Sequence, residues 1–138
     1  MNKLNDLLIR HEGLRLKPYQ CTAGKTTIGV GRNLTDNGIT EKEALMMLNR
    51  DINICIQELS QYPWFDTLCP VRRDAIIDLY FCVGGTSFSK FVKLIAAISA
   101  EDWESAGAEV LNSKFARQTG NRAIELAEMI VSNEYAKS

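Results

Sequence analysis

The chain has 138 residues, 46% hydrophobic and 24% charged, a balance that supports a buried core in one globular domain without disulfide or metal staples. With 9 glycines and 3 prolines it is neither low-complexity nor collagen-like, and no apolar run approaches the roughly 18 residues of a membrane span or forms the core of an export signal. The net charge of −1 hides an asymmetry: residues 1–35 carry six basic against two acidic side chains and the remainder ten against fifteen, so the N-terminal part is either an anion-facing surface or a solvated basic face.

Residues 2–11 place Leu4, Leu7, Leu8 and His11 at steps of three and four, which predicts a short amphipathic helix ending near Gly13. From Leu14 to Gly31 the pattern changes to that of a β-hairpin, with Tyr19, Thr26, Thr27, Ile28 and Val30 in strands and Ala23-Gly24 in the turn. Gly29 and Gly31, alternating with Ile28 and Val30, mark a strand that another backbone or a ligand approaches closely. Thr40 and Glu43 form a capping box, and behind it Leu45, Leu48, Ile52, Cys55 and Leu59 line one face of a long helix over 41–60, broken by Pro63. Pro70 opens a helix whose Val71, Ala75, Ile76, Leu79 and Val83 face inward until Gly84-Gly85 stops it. Helices near 88–98, 101–112 and 121–132 follow, begun by Ser87, Ser99 and Thr119 or Asn121. The pattern is α+β, mostly α, and the junction between hairpin and helical cluster is the expected place for a ligand.

Cys21, Cys55, Cys69 and Cys82 form no Cys-x-x-Cys pair and His11 is the single histidine, so zinc-ligand spacing is absent and free thiols are expected. No aromatic-basic stripe or zinc-finger spacing points to nucleic acid. Glu12 stands at the predicted end of the first helix, where the negative end of the macrodipole disfavours ionisation. A carboxyl group kept protonated is what a general acid needs; a solvated surface glutamate is the plainer alternative. Cys21 lies beside the predicted turn with Lys17 and Lys25 near it in sequence, which would favour a thiolate acting as nucleophile or base, or else a half-buried packing thiol. Thr27 alone suits strand packing, and His11 alone suits a helix end.

Taken together, Glu12, Cys21 and Thr27, set within His-Glu-Gly-Leu-Arg-Leu-Lys-Pro-Tyr and Thr-Ile-Gly-Val-Gly-Arg, resemble the phage-type lysozymes. The likeness is densest over residues 9–35 and returns at Thr40–Ala44, Val71–Ile76, Phe81–Gly84 and Gln118–Ala123. The resemblance implies one lysozyme-like domain over 1–138: a hairpin-bearing lobe at 12–40, a connecting helix at 41–60, and a larger helical lobe at 61–138 on which residues 1–11 pack. It also implies a glycoside hydrolase that cuts the β-1,4 bond between N-acetylmuramic acid and N-acetylglucosamine in peptidoglycan, as a monomer, without cofactor or metal, nucleic-acid partner or stable membrane insertion. Glu12 matches the catalytic acid, Cys21 falls where family members carry Asp or Cys, and Thr27 matches the threonine that helps hold the attacking water. Arg122 matches an arginine that pairs with the catalytic glutamate, while Phe81 and Leu34 match substrate-binding positions. Arg32 replaces the family's usual histidine, and the segment between hairpin and long helix is short, which implies a smaller cleft roof.

Two other readings compete. One is a cell-wall-binding or structural protein that keeps the lysozyme shape without turnover; the other is a Cys21-dependent hydrolase using His11. The family resemblance implies synthesis in the host cytoplasm and release to the wall by a separate membrane-permeabilising holin.

Overall fold

A computed structural model describes residues 2–135, and its internal contacts divide the chain into two units, Met1–Met47 and Leu48–Ser138. In the first unit, helix α1 spans Lys3–Glu12. Asn2 starts it by accepting the Asn5 N–H at 2.7 Å, and Gly13 ends it by turning its own N–H back onto the Ile9 carbonyl at 2.8 Å. Glu12 is therefore the last helical residue, one beyond the predicted helix over 2–11.

The chain then forms an antiparallel sheet in the order β1 (Arg15–Gln20), β2 (Thr26–Gly29), β3 (Arg32–Asn33). Thr27 of β2 is paired on both sides, with Tyr19 and with Asn33. The third strand extends the expected hairpin. Gly29 and Gly31, read from sequence as points of close approach, both take positive φ (69° and 66°) and reverse the chain so that Ile28 pairs with Arg32. A single turn of helix, α2 (Leu34–Asn37), follows; four residues are too few to leave a periodic signature. It is docked on β2 by the Thr35 hydroxyl, which accepts the Thr26 N–H at 2.9 Å.

The long helix α3 runs over Glu41–Leu59, within a residue of expectation, and its capping box is complete. The Thr40 hydroxyl accepts the Glu43 N–H at 3.1 Å while the Glu43 carboxylate accepts the Thr40 N–H at 3.0 Å. Arg32 adds a 2.7 Å ion pair to the same carboxylate, tying β3 to the start of α3. These donors, the Thr40 N–H first and Arg32 second, pull the Glu43 carboxyl down to about 2.

The second unit contains the rest of α3 and helices α4 (Pro70–Ser89), α5 (Val92–Ser99), α6 (Trp103–Leu111), α7 (Lys114–Thr119) and α8 (Asn121–Ser132). The predicted stop at Gly84 is a break inside α4: Gly84 takes φ 81°, and helical structure resumes through Ser89. The structure corrects three start points. Ser87 lies inside this resumed segment, and α5 begins only at Val92. The cap of α6 is Asp102, whose carboxylate accepts the Ser105 N–H at 3.2 Å, in place of Ser99. Gly120 precedes α8, with Thr119 closing a further short helix, α7, that has only six residues and one fully buried side chain, Phe115. Too short for a stripe, α7 is readable only from its cap, Ser113, which accepts the Ala116 N–H at 3.1 Å.

Phe88 is the hub of this unit's core. It is fully buried, with the rings of Tyr80 at 5.2 Å, Tyr62 at 5.7 Å, and Trp64 and Phe91 at 6.4 Å. The break at Gly84 is what lets the chain turn before presenting Phe88. Tyr80 donates to Glu58 at 3.0 Å, and burial followed by that carboxylate raises its phenol to about 12.

Replacing Phe88 by Ala removes the hub and should cost about 3–5 kcal/mol, measured by denaturant unfolding; a loss below about 1 kcal/mol would contradict its central role. The depressed Glu43 carboxyl supplies stability that is complete above its unfolded value of 4.5 and is lost as pH falls through its folded value of about 2. Glu43→Gln should therefore weaken the acid dependence of the unfolding temperature across that window while leaving the alkaline side unchanged.

Candidate functional site

Within the first unit, two sequence-predicted residues, Thr27 and Cys21, are set by the sheet. Thr27 is buried (4% exposed), an uncommon state for a threonine, and its hydroxyl donates to the Lys25 carbonyl at 3.0 Å. Cys21 sits at the mouth of the β1–β2 turn, half-buried and free, closed by its N–H to the Lys25 carbonyl at 2.9 Å and by the Gly24 N–H to its own carbonyl at 2.9 Å. The Lys25 and Ala23 N–H groups, together with the Thr27 hydroxyl, hold the Cys21 thiol below the ordinary thiol range, outweighing partial burial, which pushes it up. Main-chain donors produce this effect rather than the lysine charges expected from sequence; the Lys25 ammonium is paired with Asp36 at 3.2 Å. The Thr27 proton thus has two acceptors in reach, a carbonyl oxygen and the Cys21 sulfur.

Glu12 is exposed, and it lines a recess of about 370 Å³ with Asn5, Leu8, Ile9 and Val30. Its carboxylate lies where a side chain at position 31 would begin: a Cβ on Gly31 would stand 2.5 Å from Oε2. Gly31 is favoured by its positive φ, and with no side chain it leaves the space that the Glu12 carboxylate occupies, an occupant that the glycine alternation did not name. His11 is exposed one position earlier on the last turn of α1, and Leu34 is half-buried at the first position of α2. Arg32, standing in place of a histidine, is engaged by Glu43.

Within the second unit, Phe81 and Arg122 come together in one groove of about 460 Å³, floored by Ile52, Ile56 and Ile77. Phe81 is 43% exposed, so it is a groove wall and not a core residue. Arg122, the second residue of α8, donates from Nε to Asp78 Oδ1 at 2.8 Å and from Nη2 to the Asp78 carbonyl at 3.5 Å. The Asp78 carboxylate raises the guanidinium further above its ordinary value. Asp78 is a partner that sequence reading did not name; its only signal was its place one turn before Phe81 on the same helix.

All four cysteines are free. Among the described residues no group of three or more His, Cys, Asp and Glu side chains is placed to hold a metal, and no single helix is long and apolar enough to cross a membrane.

Comparison with known proteins bears on this arrangement. The phage lysozyme family model matches residues 9–128, from the turn before Glu12 to well past Arg122. The chain is 35% identical to an endolysin of Acyrthosiphon pisum secondary endosymbiont phage 1, over 84% of this chain and 80% of that protein. It is 26% identical to a probable T4-type lysozyme 2 of Dictyostelium discoideum, over 98% and 99% of the two chains. It is also 28% identical to the pre-baseplate central spike protein of Enterobacteria phage T4, where the match covers 92% of this chain and 27% of the much longer protein. The chain belongs to the phage lysozyme family.

Proposed function

We propose that the protein is an endolysin, a muramidase that hydrolyses the β-1,4 bond between N-acetylmuramic acid and N-acetylglucosamine in bacterial peptidoglycan. The observation that carries this reading is the pairing of Cys21 and Thr27 at one end of β2 with the Glu12 carboxylate seated against Gly31 beyond its other end. Both elements of glycoside hydrolysis, a proton donor and a group that handles the opposite face of the sugar, are then supplied by one small sheet and the helix before it.

In this mechanism Glu12 gives its proton to the glycosidic oxygen as the bond to the anomeric carbon breaks, and positive charge develops on the sugar ring. The Cys21 thiolate, stabilised by the Lys25 and Ala23 N–H groups, favours that charge electrostatically and accepts a proton from the attacking water. With its single proton facing the Lys25 carbonyl and the Cys21 sulfur, the Thr27 hydroxyl has lone pairs left to orient the water. The water's oxygen bonds to the anomeric carbon, and its proton passes to sulfur. Phe81 and Leu34 contact the glycan, and Arg122, gripped by Asp78, borders the same groove as Phe81. The protein acts as a monomer on glycan strands, made in the host cytoplasm and reaching the wall after holin-type release.

Glu12→Gln should lower the release of new reducing ends from purified peptidoglycan by about a hundred- to ten-thousand-fold. Equal release by variant and wild type would count decisively against the proton-donor assignment, and binding of the wall without any cleavage would select a non-catalytic wall-binding protein instead. Cys21→Asp should keep substantial activity and Cys21→Ala should lose it. NMR of the first product should show inversion at the anomeric carbon; retention would mean that sulfur attacks carbon directly.

The lowered thiol value has a measurable sign. Alkylation of Cys21 by iodoacetamide should reach half its maximal rate at lower pH than that of free cysteine in solution, and Thr27→Val should move the Cys21 midpoint upward. An unmoved midpoint in Thr27→Val would show that the hydroxyl does not act on sulfur.

A further inference from the structure

The groove of the second unit contains a side chain that the reading above leaves without a role. We infer that Asp78 is a positioning residue for glycan recognition, holding the Arg122 guanidinium in one orientation beside Phe81; the inference rests on the glycan-cleaving reading of the protein. Both residues of the pair line the groove together with Phe81.

Asp78 grips Arg122 twice, by its carboxylate at Nε (2.8 Å) and by its main-chain carbonyl at Nη2 (3.5 Å). A grip through both side chain and backbone fixes the plane of the guanidinium as well as its location. Of the five guanidinium N–H donors, two are used in this way, and the remaining three have no partner among the described residues. Those three are the donors a sugar hydroxyl, acetamido carbonyl or lactyl carboxylate can meet.

Arg122 also needs a counter-ion for a reason of its own. It occupies the first turn of α8, where the positive end of the helix dipole opposes a cation, and the Asp78 carboxylate offsets that opposition. Asp78 and Phe81 are three residues apart on α4, on one helix face, so the same rigid element that holds the guanidinium also carries the apolar wall. The side chains of the pair are 42% and 44% exposed, and an ion pair that open adds little to folding stability. Its consequence should therefore appear in ligand binding with the fold intact.

The test titrates a soluble tetrasaccharide of alternating N-acetylglucosamine and N-acetylmuramic acid into the full-length protein by calorimetry, with reducing-end release followed in parallel. Asp78→Ala and Arg122→Ala should each weaken binding about tenfold, and the double variant should bind no more weakly than Arg122→Ala alone. Asp78→Glu should recover part of the loss, and unfolding temperatures should stay within a few degrees of wild type. The inference is overturned if Asp78→Ala binds like wild type, if Arg122→Ala does, or if the two losses simply add. Failure of the enzymatic reading looks different: the wild type would bind the tetrasaccharide with the same dependence on Asp78 yet release no reducing ends. A wild type that does not bind at all would sink both.

Discussion

The register of β2 is the constraint on which the rest of the first unit depends. Thr27 is paired with Tyr19 on one side and Asn33 on the other, so the central strand cannot slide by one residue without breaking both ladders and turning the buried hydroxyl to the opposite face. That register determines what lies at each end of the strand. Before it, the turn folds the N–H groups of Ala23 and Lys25 onto the Cys21 sulfur. After it, the Gly29–Gly31 reversal brings an unsubstituted α-carbon against Glu12. A thiol held below its ordinary range and a carboxylate seated against backbone are both consequences of four residues of strand being fixed on two sides.

The second unit is organised by a different force. Its core is an aromatic cluster around Phe88, reached through a helix break at Gly84 that also divides the labour of α4. Upstream of the break, the helix alternates core positions such as Ala75, Ile76 and Leu79 with Asp78 and Phe81, which line the groove. Downstream, it delivers Phe88 to the interior. The groove is thus the outer surface of the same helix whose inner face is buried, and apolar burial rigidifies the side chains that line it. Arg122 joins this surface from α8 through Asp78, a contact linking two helices that are also packed through the core.

Electrostatics in the two units follow a common pattern, in which three shifted ionisable groups are each held by oriented donors or by one close partner, not by general charge density. Glu43 is held by its own cap and by Arg32, Cys21 by main-chain N–H groups, and Arg122 by Asp78. The basic excess of residues 1–35 therefore overstates the free charge of that segment, since Lys25 and Arg32 are both spoken for.

Much of the fold was legible from residue order because it arises from short-range chemistry. The capping box at Thr40, the glycine end of α1, the interruption of α4 at Gly84 and the bounds of α3 and α8 all rest on neighbours within a turn or two of chain, where spacing and propensity act directly. The short β3, α2 and α7 were not legible: unlike the hairpin strands they have no turn signal between paired β-branched runs, and they carry too few positions to show a period. The same division runs through the site. The sequence by itself determined which residue types are available and how far apart they stand along the chain: Glu12 at a helix end, Cys21 at a turn, Thr27 in a strand, Phe81 and Arg122 on helices. Only the tertiary structure decided that the Cys21 sulfur is served by backbone donors and Thr27 instead of lysines, that Glu12 rests on Gly31, and that Asp78 holds Arg122. The Cys21 contacts depend on the conformation of one tight turn, and the Glu12 and Arg122 contacts join segments apart in sequence; no local pattern encodes the direction in which a side chain meets a partner 44 residues away.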